Sequence, residues 1–141
     1  MRFYTIAVAS LAIDAPNRWT DNILNQFAIP DVVSVRRGVA RKITHAAIVR
    51  LAIVRQLHTL LGIGTGDALR LTAEMLRSGP VGVFESGHLT LSVNRTEVER
   101  TVNARLVDAL ESHPIRRRGR PPGKAGIERG EECPALFAPH D

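Results

Sequence analysis

The sequence predicts a mainly helical protein with small β elements. Apolar residues recur every three or four positions through most of the first 112 residues, which is the spacing of an amphipathic helix. Two shorter stretches, residues 32–43 and 81–93, are instead rich in β-branched residues or alternate between apolar and polar ones, as strands do. With 141 residues, of which 44% are apolar and 23% charged, the chain can form one small core, or two very small ones, followed by a tail.

The first two predicted helices are short and close together. Thr5 can cap a helix that runs to about Ile13, and Asp14-Ala15-Pro16 then interrupts the helical pattern. Asn17 is the predicted N-cap of a second helix over residues 18–27, whose apolar side contains Trp19, Ile23, Leu24 and Phe27. We expect Trp19 to join these two helices. Two short helices connected by a tight turn form a helix-turn-helix arrangement.

A hairpin and two longer helices follow. Residues 32–43 are extended and fold back at Arg36-Arg37-Gly38, which predicts a two-stranded hairpin with a basic tip. Thr44 then caps a helix that Gly62 is placed to end in the left-handed conformation. We expect one face of this helix to contain Ile48, Leu51, Val54, Leu57 and Leu61. Thr65 caps a further predicted helix, which runs to about Arg77.

Residues 81–113 predict a separate hairpin and helix. Strands over residues 81–85 and 89–93 flank a turn at Ser86-Gly87-His88. Asn94 begins a helix, with Glu97 at the spacing of a capping box, and its apolar stripe continues to about Ser112. A two-stranded hairpin is marginal alone and must pack its apolar face against something. We expect this module either to form a dimer interface or to pack on residues 1–80 of its own chain.

Charge and cysteine content exclude several classes of protein. The chain has 19 Lys and Arg against 14 Asp and Glu, and all but Lys42 and Lys124 of the cations are Arg, which pairs with phosphate in a bidentate manner. The lone Cys133 excludes an intrachain disulfide framework and a cysteine-based zinc site. The five His are dispersed along the chain, so we expect no metal site. Glu85 and His88 near a turn are weak grounds for catalysis. We therefore expect a protein that is not an enzyme and needs no cofactor.

The N-terminal apolar run does not read as a targeting segment. Thr5 and Ser10 interrupt it, and no stretch approaches the roughly 20 apolar residues that cross a bilayer. The expected location is the cytoplasm, without membrane association.

The first half of the chain resembles a known family of DNA-binding proteins. The segment Arg36-Arg37-Gly38-Val39-Ala40-Arg41-Lys42-Ile43-Thr44, the long helix after it, and Leu60-Leu61-Gly62-Ile63 with Ala68-Leu69 resemble the winged-helix DNA-binding domain of the MerR family. The resemblance covers roughly residues 4–76. The family's usual Leu-Arg-Tyr-Tyr-like run is absent from the second helix, so base preferences are not carried over.

The complete fold prediction has three parts. It places a winged helix-turn-helix DNA-binding domain in residues 1–80, a β-hairpin plus helix module in residues 81–113, and a disordered basic tail in residues 114–141. By count, the net charges of these three parts are +5, −2 and +2.

The resemblance and the residue types together predict how DNA is contacted. A helix fits the major groove, where side chains that bond base edges or phosphates are useful, and residues 18–27 supply Arg18, Thr20, Asn22, Asn25 and Gln26. Asp21 would be repelled by phosphate unless it accepts a bond from cytosine or caps the helix. The hairpin would reach the backbone or minor groove with Arg36, Arg37, Arg41 and Lys42. The alternative is that the helix residues form only a solvated face.

The tail supplies a second basic segment. Arg116, Arg117, Arg118 and Arg120 surround Gly119, and the Arg-Gly-Arg-Pro core looks like an AT-hook, which binds the minor groove of A·T-rich DNA. A tail that contacts phosphate without sequence preference is the alternative.

These observations predict a transcriptional regulator that binds double-stranded DNA in the nucleoid, as a homodimer. The first alternative is a nucleoid-associated architectural protein with A·T minor-groove preference. The second is a protein-interaction adaptor that uses the fold without contacting bases. Neither a small-molecule effector nor a target site is predicted.

Overall fold

The computed structural model describes residues 1–34 and 36–113. Of these residues, 58% are helical and 17% lie in strands, which confirms the prediction of a mainly helical chain with small sheets. The helices are α1 (Ile6–Ala12), α2 (Asn17–Gln26), α3 (His45–Leu61), α4 (Thr65–Arg77) and α5 (Arg95–Ser112). The strands are β1 (Phe3–Tyr4), β2 (Val32–Val33), β3 (Lys42–Thr44), β4 (Val81–Ser86) and β5 (Leu89–Asn94).

Three of the predicted caps are present. The side chain of Thr5 accepts from the backbone N–H of Val8 at 3.3 Å. Thr44 caps α3 in the same way, and Asn94 caps α5 by accepting from the backbone N–H of Glu97. Gly62 ends α3 with φ +67°, a conformation that glycine adopts without the steric cost of a side chain. These helix boundaries therefore follow from local chemistry.

The starts of α2 and α4 differ from the prediction. Pro16, not Asn17, occupies the N-cap position of α2, and Asn17 is already helical. Pro16 has φ −62° and ψ 142°, an extended conformation that suits the entrance to a helix. Gly64, not Thr65, precedes α4. Neither helix has a side-chain cap, so both starts depend on backbone geometry and on packing.

A small antiparallel sheet joins the start of the chain to the first hairpin. Its strand order is β1-β3-β2, with Phe3 opposite Thr44 and Val32 opposite Ile43. The predicted hairpin is present, but its strands are limited to two and three residues. Strand β1 was not predicted, because two residues carry no periodicity and this strand is defined by its partner β3.

Helix α3 lies at the centre of the core. Its side chains Ile48, Leu51, Ile53 and Val54 are all buried, although they point in different directions around the helix. Helices α1, α4 and α5 all pack against α3, and α5 also packs along α1. The expected one-sided face was wrong at the end of the helix, where Leu61 is 56% exposed. The last turn of α3 extends beyond the helices that bury the earlier turns of α3.

The second hairpin packs on its own chain through α4. Strands β4 and β5 pair from Val81 with Asn94 to Ser86 with Leu89, so the turn contains two residues, Gly87 and His88. The predicted turn of three residues was therefore one too long. A Cβ added to Gly82 would lie 2.7 Å from the backbone oxygen of Met75, which shows how closely β4 approaches α4. Buried residues of α5 belong to the same core cluster as those of α1 and α3.

Candidate nucleic-acid interface

Helix α2 has one buried side and one exposed polar side. Thr20, Ile23 and Leu24 are buried against the core. The opposite side is exposed and contains Arg18, Asp21, Asn22, Asn25 and Gln26. On a helix, residues four apart lie on one stripe. One polar stripe, which we call the Arg18 stripe, therefore contains Arg18, Asn22 and Gln26. The stripe next to it contains Asp21 and Asn25.

Thr20 does not belong to this exposed side. Its side chain is fully buried, and the hydroxyl of Ser10 donates to Thr20 Oγ1 at 2.7 Å. Ser10 is itself buried on α1, so this bond connects the two helices inside the core. The prediction that Thr20 contacts DNA was wrong, because its hydroxyl is enclosed and already paired.

The turn between α1 and α2 is short and has a left-handed residue. Asp14 adopts φ +54°, which Asp tolerates better than most side chains do. The backbone N–H of Ala15 donates to the oxygen of Ser10 at 2.9 Å. These contacts return the chain directly into α2.

The hairpin tip is held by a tight turn. Gly38 has φ +88°, and the backbone N–H of Val39 donates to the oxygen of Arg36 at 3.2 Å, as in a type II turn. Arg36 and Arg37 are exposed at this tip. Neither one forms a salt bridge with any residue in the described part of the chain. Both guanidinium groups therefore face solvent.

Arg41 connects the hairpin to the exposed side of α2. Its Nη1 donates to Asp21 Oδ1 at 3.3 Å, and its Nη2 donates to Asn25 Oδ1. Asn25 Nδ2 also donates to Asp21 Oδ2 at 3.3 Å. The three side chains form one cluster, which we call the Arg41 cluster. It places the hairpin beside the Arg18 stripe, and it gives the Asp21 carboxylate a cationic partner.

No family model matches the chain, and the searches of curated proteins and of solved structures return no match. A function for this chain is therefore inferred from its own residues.

Lys42 and Arg2 each lie over an aromatic ring of β1. The Lys42 ammonium lies 5.5 Å from the centre of the Phe3 ring, and the Arg2 guanidinium lies 5.6 Å from that of Tyr4. Cations are attracted to aromatic faces at such distances. Since Phe3 and Tyr4 are adjacent on β1, their rings and the two cations lie on opposite faces of the sheet. The sequence offered no signal for Arg2, because its position depends on the pairing of β1 with β3.

Trp19 lies between α2 and α3, where it supports a further cation. The Arg55 guanidinium lies 4.9 Å from the centre of the Trp19 ring. The centre of the His58 ring, which like Arg55 is on α3, lies 6.3 Å from the centre of the Trp19 ring. His58 Nδ1 donates to the backbone oxygen of Ile63 at 2.9 Å. Trp19 is half-buried and joins α2 to α3, whereas we expected it to join α1 to α2. The sequence gives no signal for this stack, because its partners are 36 residues apart.

The predicted tail residues Arg116, Arg117, Arg118 and Arg120 lie outside the described residues. In the described part of the chain, no cluster of three or more His, Cys, Asp or Glu side chains is placed to hold a metal ion. No helix there is both long enough and apolar enough for a membrane span.

Proposed function

We propose that this chain binds double-stranded DNA as a transcriptional regulator, with α1, α2 and the β2–β3 hairpin acting as a winged helix-turn-helix. The observation that supports the proposal most directly is the Arg41 cluster. It brings an exposed polar helix and a basic hairpin side by side, which is the arrangement needed to contact a groove and its adjoining backbone together.

In this proposal the Arg18 stripe enters the major groove. Arg18, Asn22 and Gln26 are exposed along one line of α2, and their side chains can bond guanine or adenine edges in a bidentate manner. In this proposal, Asn25 and Arg41 do not contact DNA as predicted from the sequence. They contact each other and hold the hairpin against α2.

The hairpin contributes contacts to phosphate. Arg36 and Arg37 are exposed at the tip and, among the described residues, lack an acidic partner. Replacing both with Ala should weaken binding to every sequence and reduce the salt slope by about two units, since each phosphate contact contributes about 0.9. Titration of a duplex at several salt concentrations measures this slope. Arg70→Ala/Arg77→Ala on α4 removes the same charge and is the control.

Selection of bound duplexes from a random pool tests the proposal as a whole. A regulator binds its selected site at least about a thousandfold more tightly than random DNA at one salt concentration. A ratio below about tenfold would instead favour an architectural protein, the reading that the Arg-Gly-Arg-Pro sequence of the tail supports. A complete lack of binding near physiological salt would contradict both and favour a protein-interaction adaptor.

The proposal includes a homodimer. Leu60 and Leu61 at the end of α3 are 78% and 56% exposed, and Leu89 at the tip of the second hairpin is 57% exposed. A groove between α3 and β5 is lined by these two α3 residues, by Ile53, Leu57, Leu91 and Val93, and by the polar side chains of Gln56 and Ser92, with no charged side chain. A mainly apolar surface without charge suits a second copy of itself around a two-fold axis. Leu60→Ser/Leu61→Ser should shift sedimentation toward the monomer.

A further inference from the structure

Arg55 on α3 is a cation with a fixed position and no acidic partner in the described part of the chain. Its guanidinium lies 4.9 Å from the centre of the Trp19 ring, so one flat face is stacked on a side chain of α2. Among the described residues it forms no salt bridge, and the hydrogen bond at Arg55 involves its backbone oxygen, which accepts from Thr59. The one buried side-chain nitrogen without a partner there is Nε of Arg50, so the guanidinium nitrogens of Arg55 reach solvent.

Trp19 places Arg55 on one particular side of α2. Successive residues of a helix are turned by about 100°, since 3.6 residues make one turn. Around the axis of α2, the residues on and beside its exposed side therefore follow in the order Asp21, Asn25, Arg18, Asn22, Gln26 and Trp19. Arg41 binds the first two of these residues, and Arg55 stacks on the last. The Arg18 stripe thus lies between the hairpin on one side and Arg55 on the other.

Cations on both sides of the stripe match the two borders of a major groove. The major groove of B-DNA is about 12 Å wide, and a phosphate backbone runs along each of its borders. An α-helix with its side chains is about 10–12 Å in diameter, so a helix in the groove has one backbone along each of its sides. The hairpin tip exposes Arg36 and Arg37 on one side of the Arg18 stripe. A cation on the other side of the stripe faces the other backbone.

We propose that Arg55 binds a phosphate on the border of the major groove opposite to the border that the hairpin tip contacts. This inference rests on the proposed function and adds a second backbone contact to it. Trp19 is then a positioning residue, because its ring covers one face of the guanidinium and leaves uncovered the edge donors that fit a phosphate. Phosphate contacts on both borders would fix the orientation of α2 in the groove.

A purely structural stack is the alternative role for Arg55. In that case Arg55 only packs α2 against α3 and does not contact DNA. Its replacement could lower affinity by loosening α2, but it would leave the number and the positions of the contacted phosphates unchanged. Those two quantities therefore separate the roles, whereas a loss of affinity alone does not.

The first experiment counts phosphate contacts. A duplex selected with the full chain from a random pool is titrated at several salt concentrations. Arg55→Gln retains a polar side chain but removes the charge, and the salt slope should fall by about 0.9. Arg55→Lys retains the charge and should keep the slope of the full chain. Arg77→Ala, which removes an exposed cation at the end of α4, is the control and should also keep it. An unchanged slope in Arg55→Gln would overturn the inference.

The second experiment locates the contacts on the same duplex. Single phosphates on both strands are replaced, one at a time, by uncharged methylphosphonates. The full chain should lose affinity at phosphates on both borders of its major-groove site. Arg55→Gln should become insensitive to replacement on one border, and Arg36→Ala/Arg37→Ala on the other. Insensitivity of both variants on the same border would overturn the inference.

The outcomes separate this inference from the proposed function. If the full chain binds neither selected nor random duplexes, the proposed function fails and this inference fails with it. If the full chain binds but is sensitive to methylphosphonates on one border only, only this inference is overturned. That measurement needs no variant, so it decides the inference even if Arg55→Gln does not fold.

Discussion

At the scale of single residues, the exposed side of α2 has two kinds of polar side chain. Asp21 and Asn25 are paired with Arg41, whereas Arg18, Asn22 and Gln26 line the neighbouring stripe. A sequence treats all five as equivalent surface residues. Only the fold separates the residues that hold the hairpin from those that are available to a ligand.

Arg41→Ala tests this separation. The cluster is partly exposed, and such ion pairs contribute less than about 1 kcal/mol, so urea unfolding should change little. DNA affinity should fall more than in Arg36→Ala, which removes the same charge but leaves the hairpin attached to α2. Equal losses in the two variants would show that Arg41 acts only through its charge.

Thr20 gives a second prediction, which concerns stability. Thr20→Val removes the oxygen that accepts from Ser10 and leaves a buried hydroxyl without a partner, at a cost of about 1–3 kcal/mol. Ser10→Ala/Thr20→Val removes both polar groups and should recover most of that loss. Urea unfolding of the four proteins in this cycle measures the coupling. Additive losses would contradict the pairing.

At the scale of elements, the second hairpin makes one especially close contact with α4. Gly82 on β4 faces the backbone of Met75 on α4, and there is no room for a methyl group between them. The close approach of β4 to α4 at this point thus requires a residue without a side chain.

Gly82→Ala should therefore force β4 away from α4. Overpacking of this kind costs about 1–3 kcal/mol, which thermal or urea unfolding detects. Gly64→Ala is the matched control, because an added Cβ there meets nothing within 4 Å and the backbone φ of −57° suits any residue. Similar stability of the two variants would mean that the contact with Met75 relaxes easily.

Elements with a strong local signal could be predicted from the sequence, and elements defined by distant partners could not. Thr5, Thr44 and Asn94 cap their helices with their side chains, so a few adjacent residues determine where these helices begin. Strand β1 and the stack of Arg55 on Trp19 require segments that are tens of residues apart to meet. The burial of Thr20 is different, because Thr20 lies three and four residues before Ile23 and Leu24, so helical spacing already put it on the buried side of α2.

At the scale of the whole molecule, one core includes both parts of the described chain. Its buried apolar residues run from Val8 on α1 to Ala109 on α5. Helix α3 contacts α1, α4 and α5. The proposed DNA surface and the module after Pro80 therefore fold together.

Deletion of residues 114–141 should leave this core intact. All of the buried apolar residues in the described part of the chain precede residue 110, so the thermal midpoint should change by less than about 4 °C, which corresponds to about 1 kcal/mol. Circular dichroism during heating gives the midpoint. A larger decrease would mean that the removed residues contribute to packing.

The position of Trp19 has a practical consequence. It is the one tryptophan of the chain, and its indole ring lies where α2 meets α3 under the guanidinium of Arg55. Fluorescence emission from this ring is sensitive to the packing of α2 against α3, so no attached dye is needed. If the proposed function holds, mixing the unlabelled protein with a duplex in a stopped-flow fluorimeter should change this emission as the duplex binds.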